Sequence, residues 1–281
     1  MFKKLPTAVK LLLLPILIFI SLVLVNLGSG DESPYQFFEG SQNIEEQEPP
    51  PLNPKALEIF QKTIPQLPGE WAVMVKDLKT GKTYTYSENE TIASASIYKL
   101  TVMWAVFQEV EGGSMKFDDP IGNTTVREAL KLTITISDND SAIALAEKIG
   151  WGKIHRLMES EGIVGFDLRR ENGPYTTAKA TAALLERIYK NTAVSPSASK
   201  EMLELLLAQQ FNDRIPKYLP SGTRVGHKTG EIENFRHDAG IVIGQKSQYI
   251  FVFLSQTQNP TEAAETIATL SYEIYNALEA P

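Results

Sequence analysis

Residues 11–27 read LLLLPILIFISLVLVNL, an apolar run without a charged side chain, and predict a helix that is hydrophobic all round. At 1.5 Å per residue such a helix reaches about 25 Å, slightly short of a bilayer core of roughly 30 Å. Residues 28–53 contain no Lys or Arg, are rich in Glu, Gln, Ser and Pro, and carry Pro49-Pro50-Pro51 near their end. A segment of that kind cannot bury enough apolar surface to offset its ordering entropy, so it predicts a tether. From residue 54 the apolar positions become periodic. Asn53-Pro54 and Asn259-Pro260 each place a capping Asn before a Pro in a first helical turn. Behind them Leu57, Phe60 and Ile64, and then Ile267, Leu270, Ile274 and Leu278, recur at helical spacing. Residues 71–78 and 83–86 predict a hairpin turning at Lys79-Thr80-Gly81-Lys82. Residues 224–231, 239–244 and 249–254 predict three consecutive strands, and roughly 96–210 predicts mainly helices. Strands at both ends with helices inserted between them predict an α+β fold with a helical lobe.

Composition narrows the chemistry. The 281 residues include no cysteine, which excludes a thiol nucleophile, a disulfide framework, a Cys-based metal site and a Cys-anchored lipoprotein. His155, His227 and His237 are not paired at a metal-ligand spacing. With 27 Lys+Arg against 34 Asp+Glu, the net charge of −7 argues against a nucleic-acid partner. Lys3, Lys4 and Lys10 precede the apolar run and place that end in the cytoplasm, with the remainder outside. The run is longer than a signal-peptide core, and Val25-Asn26-Leu27 is a poor cleavage site, although Gly28-Ser29-Gly30 offers an alternative. We therefore read 1–27 as a membrane anchor or signal segment, with the anchor favoured, 28–53 as the tether and 54–281 as an exported domain.

Three short motifs in the domain carry the candidate chemistry, and each occurs more than once. S-x-x-K is found at 96–99 and 197–200, S-x-N at 41–43, 87–89 and 137–139, and K-T-G at 79–81 and 228–230. Context selects among them. Residues 95–107 read ASIYKLTVMWAVF with a single charge, so Lys99 is placed on a buried helix, where desolvation lowers its pKa toward that of a useful base. Ser96 lies three residues away at the helix start, where free N–H groups favour developing negative charge. Ser197 and Lys200 instead open an ordinary amphipathic helix. Ser137-Asp138-Asn139 precedes a helix and suits capping as well as catalysis. Gly230 interrupts an apparent strand, a position that suits close approach of another backbone, such as an extended substrate.

Ser96-x-x-Lys99, Ser137-Asp138-Asn139 and Lys228-Thr229-Gly230, in that order, resemble the signature set of class A β-lactamases and penicillin-binding enzymes. The resemblance covers nearly all of 55–281, including Thr176-Thr177 and Asn212-Asp213-Arg214-Ile215-Pro216. It implies an antiparallel sheet flanked by helices with an inserted all-helical lobe, and active-site serine acyl transfer on β-lactams or peptidoglycan peptides. Ser96 would be the nucleophile, Lys99 its base or proton relay, and Ser137 the proton donor to the leaving nitrogen. Asn139 would hold Lys99 and the substrate amide, and Lys228 and Thr229 the substrate carboxylate. The backbone N–H groups of Ser96 and Glu231 would form the oxyanion hole. The resemblance implies no cofactor, and we expect a monomer.

The departures are equally specific. No E-x-x-L-N lies between Asn139 and Thr176, and Glu171, in the frame RRENG, is the nearby candidate for a deacylation base. Glu231 stands where the family usually has a small residue; the sequence leaves open whether it disfavours anionic ligands or faces solvent. Arg236 is a candidate for a carboxylate-binding arginine. These departures keep a D-alanyl-D-alanine-type peptidase as the alternative to a slow β-lactam hydrolase, with a non-catalytic binding module behind both.

Overall fold

A computed structural model describes residues 51–169 and 173–280. The expected residues of the anchor, most of the tether, and Glu171 lie outside them. Among the described residues no helix is long and apolar enough to cross a membrane.

Helix α1 (Pro54–Glu58) is capped by Asn53, whose side chain accepts from Lys55 and Ala56 N–H. It runs on through a wider turn (Ile59–Thr63) and a 3-10 turn (Ile64–Gln66). Strands β1 (Glu70–Asp77) and β2 (Thr83–Tyr86) form the predicted hairpin, in which Asp77 Oδ1 accepts from Lys79 and Thr80 N–H across the turn. A short strand β3 (Ile92–Ala93) leads to a 3-10 turn (Ala95–Tyr98) and then α2 (Lys99–Glu111). The lobe continues with strands β4 (Pro120–Ile121) and β5 (Thr124–Thr125), then α3 (Val126–Thr135), α4 (Asn139–Ile149) and α5 (Trp151–Ser160). Strand β6 (Tyr175–Thr176) pairs with β3 and introduces α6 (Ala178–Tyr189) and α7 (Pro196–Leu207). Strands β7 (Arg224–Ile232), β8 (Phe235–Ile243) and β9 (Gln248–Gln256) precede the last helix, α8 (Pro260–Glu279). The α+β fold is the one expected.

One five-stranded antiparallel sheet, ordered β2-β1-β9-β8-β7, organises these elements. Its centre is β9, covered on both faces, which is why its sequence is a near-continuous apolar run rather than an alternation. Tyr249, Phe251 and Phe253 point to one face, where Phe60 and Ile64 from the turns after α1, with Ile267 and Ile274 from α8, complete the core. Ile250, Val252 and Leu254 point to the other, against Trp104, Leu184 and Leu185 of the lobe. The two ends of the domain are joined through this strand, because β1 pairs with β9 from Glu70↔Gln256 to Asp77↔Tyr249.

Two departures from the sequence pattern bear on function. Strand β8 begins at Phe235, four residues earlier than its apolar pattern, because its polar side chains are buried and paired. His237 accepts from Ser255 N–H at Nδ1 (3.0 Å) and Nε2 lies 2.8 Å from the Ala93 carbonyl, so the ring is held as the neutral Nε2–H tautomer. Burial pushes its pKa down to about 4. The segment read as one helix from residue 95 also divides. Ala95 has φ +43°, a left-handed conformation no α-helix accepts, so the α-helix starts at Lys99 and the preceding turn is 3-10.

Gly240 lies in β8 where a Cβ would fall 2.5 Å from His227 Cβ and 2.9 Å from the Gly226 carbonyl oxygen. Gly240→Ala should therefore destabilise the domain by about 2–3 kcal/mol, an overpacking cost with no flexible neighbour to yield. Urea unfolding of residues 51–281 measures it directly; an unchanged midpoint would refute the packing described.

Candidate active site

Between the 3-10 turn, the α3–α4 connection, the segment 210–214 and strand β7 lies a cleft of about 640 Å³. Ser96, Ser137, Asn139, Thr229 and Glu231 line it, with Ile136, Phe211 and Arg214. Ser96 is presented by the 3-10 turn, in which residues three apart stack over each other, so its position and that of Lys99 coincide on one face. Its hydroxyl has no hydrogen-bond partner among the described residues. Ser137 follows α3 in a left-handed conformation (φ +58°), and Asp138 then caps α4 by accepting from Ser141 N–H at 2.8 Å. The Ser141 side chain, and after it that N–H bond, holds the Asp138 carboxyl below its ordinary range, and Asp138 is a structural cap with a field on the site.

Lys99 is fully buried. Its ammonium donates to the Ser137 carbonyl (2.6 Å), to Asn139 Oδ1 (2.7 Å) and to Ser137 Oγ (3.2 Å). Burial pushes its pKa down to about 8, against the opposing pull of Asp138. Lys228, also fully buried, donates to Ser137 Oγ at 2.9 Å and to the Thr229 carbonyl at 2.7 Å. Burial, and then the neighbouring Lys99, holds its pKa well below the usual lysine range. The Ser137 hydroxyl thus sits between two amines. When Lys99 loses a proton, its lone pair becomes an acceptor for the Ser137 hydroxyl, and a three-centre proton path is formed.

The other sequence candidates are placed as follows. Gly230 is not among the residues lining the cleft; a Cβ there would lie 3.0–3.1 Å from His237 and 3.1 Å from Ile97, so the close approach comes from within the protein. Arg236 does not line the cleft either, and its Nη2 pairs with Glu231 Oε1 at 3.0 Å. The alternative motif copies sit elsewhere: Gly81 occupies a turn with φ +75°, and Ser197 and Lys200 are exposed on α7, whose cap is Ser195.

The sequence reading gave no role to Arg214, yet it is the cleft's buried guanidinium. It donates to Glu231 Oε2 (2.7 Å) and to the His237 carbonyl (3.3 Å), and its Nε has no partner among the described residues. Its loop is pinned to the sheet by a fully buried pair, His227 Nδ1 and Asp238 Oδ1 at 2.8 Å; Asp238 Oδ2 also accepts from Ile215 N–H. The available signal was an Asn-Asp-Arg cluster in a connection between a helix and a strand, where binding groups concentrate. Among the described residues no group of three or more His, Cys, Asp and Glu side chains could hold a metal.

The lysine environment sets a stability test. Between about pH 8 and the ordinary lysine range, the unfolded chain binds more protons at Lys99 than the native one, so native stability rises with pH across that window. Lys99→Met should lose that rise, and the stability gap between variant and wild type should shift in favour of wild type from pH 7.5 to 9.5. Parallel pH-dependent unfolding curves would contradict the assignment.

Known proteins resemble this chain in sequence and in fold. A β-lactamase from Bacteroides uniformis is 30% identical over 192 residues, covering 58% of this chain and 63% of that protein. Beta-lactamase BRO-1 from Moraxella catarrhalis is 26% identical over 182 residues, covering 57% and 58%. The chain thus spans about three fifths of the length of these curated relatives. Among solved structures, a mutant of PBP-A in an acyl-enzyme complex with penicillin G superimposes with a TM-score of 0.76 at 21% identity, over 83% of this chain and 99% of that one; at that identity the likeness concerns the fold. The model of the β-lactamase enzyme family matches residues 55–278, and the chain belongs to that family.

Proposed function

We propose that this protein is an exported serine hydrolase that acylates itself with β-lactams at Ser96. The observation that carries the reading is the Ser137 hydroxyl held between Lys99 and Lys228 at the edge of a cleft that also contains Ser96. In the first step Ser96 Oγ bonds to the lactam carbonyl carbon while its proton passes to neutral Lys99. The oxyanion forms beside the backbone N–H groups of Ser96 and Glu231. The ring C–N bond then breaks, and the nitrogen takes a proton through Ser137, leaving an acyl ester on Ser96. Lys228 and Thr229 bind the substrate carboxylate, and Asn139 fixes Lys99 and the substrate amide. Water finally adds to the ester, restoring the Ser96 hydroxyl and releasing the ring-opened acid.

Slow release of the acyl group fits the same cleft. Among its described lining residues the carboxylates are Asp213 and Glu231, and each is paired with Arg214 (3.7 and 2.7 Å). Neither is a free general base, and Glu171 remains the sequence candidate for that task. Export, with residues 1–27 as anchor, rests on the charge-free apolar run and the lysines before it.

Intact mass spectrometry with a chromogenic cephalosporin tests this. A stoichiometric adduct should form, persist beyond the colour burst, and be absent in Ser96→Ala. Its formation rate should climb with pH to a plateau with a midpoint near 8, where Lys99 becomes neutral. Lys200→Ala should leave both unchanged. An adduct in Ser96→Ala, or loss of the adduct in Lys200→Ala alone, would overturn the choice of nucleophile or motif; steady colour without a burst would place the slow step before acylation.

A further inference from the structure

Glu231 lines the cleft with a charged side chain that the acyl-transfer reading does not use, since that reading needs only its backbone. Its carboxylate bridges two arginines, Arg214 through Oε2 at 2.7 Å and Arg236 through Oε1 at 3.0 Å. The three partners differ in freedom. Arg214 is buried, with 3% of its side chain exposed, whereas 55% of the Glu231 side chain is open to solvent. The guanidinium is therefore fixed and the carboxylate is movable. Arg214 also retains an unpartnered buried Nε, so its donors are not exhausted by Glu231 and the His237 carbonyl.

We infer that Glu231 is a specificity-determining residue: it holds, from within the chain, the buried Arg214 guanidinium that lines the cleft, a donor that a substrate carboxylate would otherwise reach, and so biases the cleft toward acyl donors with no free carboxylate at that point. The inference rests on the acyl-transfer reading of the site. A tethered carboxylate competes at an effective concentration on the order of millimolar, so an incoming acid must displace it, whereas a neutral ester or amide need not. Arg236, with 15% of its side chain exposed, gives the displaced carboxylate a second partner, which allows Glu231 to swing outward without being left unpaired. The site therefore accepts anions at a penalty rather than excluding them. Ile136 and Phe211, both partly exposed at the cleft, add apolar surface that suits a neutral acyl donor.

The test uses one chromogenic cephalosporin as its free acid and as its methyl ester, and compares second-order acylation rates by intact mass. Glu231→Gln keeps the side-chain shape and removes the charge. It should raise the acid-to-ester rate ratio by about tenfold or more, the scale of one charge-assisted hydrogen bond. In an Arg214→Ala background the same substitution should leave the ratio within about twofold, because the contested guanidinium is gone. Melting curves of each variant confirm folding, and Arg214→Gln, which keeps polar contacts but carries no charge, replaces Arg214→Ala if the latter melts below assay temperature. A ratio unmoved by Glu231→Gln, or raised equally without Arg214, overturns the inference. Absence of any adduct with either compound, in wild type and Glu231→Gln alike, overturns the acyl-transfer reading and the inference with it.

Discussion

Two lysine side chains taken wholly out of water around a single hydroxyl set the terms for the rest of this domain. An isolated buried ammonium is costly, and two such groups near each other are worse. The cost is tolerated because each has acceptors at close range: carbonyl oxygens of Ser137 and Thr229, the Asn139 amide oxygen and the shared Ser137 hydroxyl. Those acceptors come from three separate elements. Ser137 precedes α4, Asn139 opens it, and Thr229 belongs to the edge strand β7. The helical lobe and the sheet must therefore meet in one arrangement for the lysines to be accommodated, and that arrangement is the cleft.

The polar residues behind the cleft reinforce the same register. His237 links β3 to β8 and β9, while His227 and Asp238 tie the loop of Arg214 to the sheet. Buried polar groups that are fully partnered rigidify a site as effectively as apolar packing. The pairing of Arg214 with Glu231 differs in kind, because one partner faces solvent. The floor of the cleft is rigid and its mouth is adjustable.

Sequence periodicity revealed the architecture where burial is one-sided or complete. The stripes of the first and last helical segments and the apolar run of β9 could each be read directly, because those residues pack mainly against hydrophobic neighbours. It failed at the start of β8, where His237 and Asp238 are buried for their hydrogen bonds and no hydrophobicity pattern marks them. It also failed at Ala95, since a left-handed alanine is imposed by the surroundings rather than by its own preference. For the site, the motifs located Ser96, Ser137, Asn139 and Thr229 in one cleft. Spacing said nothing about which arginine would enter it. Arg236 is near in sequence to the K-T-G strand yet does not line the cleft, while Arg214 arrives from a loop whose path depends on the buried, hydrogen-bonded His227 and Asp238.

The glycine at 230 sets one dimension of that cleft. Its missing side chain lets β7 approach Ile97, the neighbour of Ser96 on the 3-10 turn, to a distance where a single methyl would touch both Ile97 and His237. The contact between the turn that carries Ser96 and strand β7 is consequently closer than any side chain at 230 would allow. A larger residue would act as a wedge that parts turn from strand, lengthening the reach from the Ser96 hydroxyl to anything held along β7. Strand packing and reaction geometry are thus one mechanical variable in this fold, adjustable at a position that itself carries no functional group.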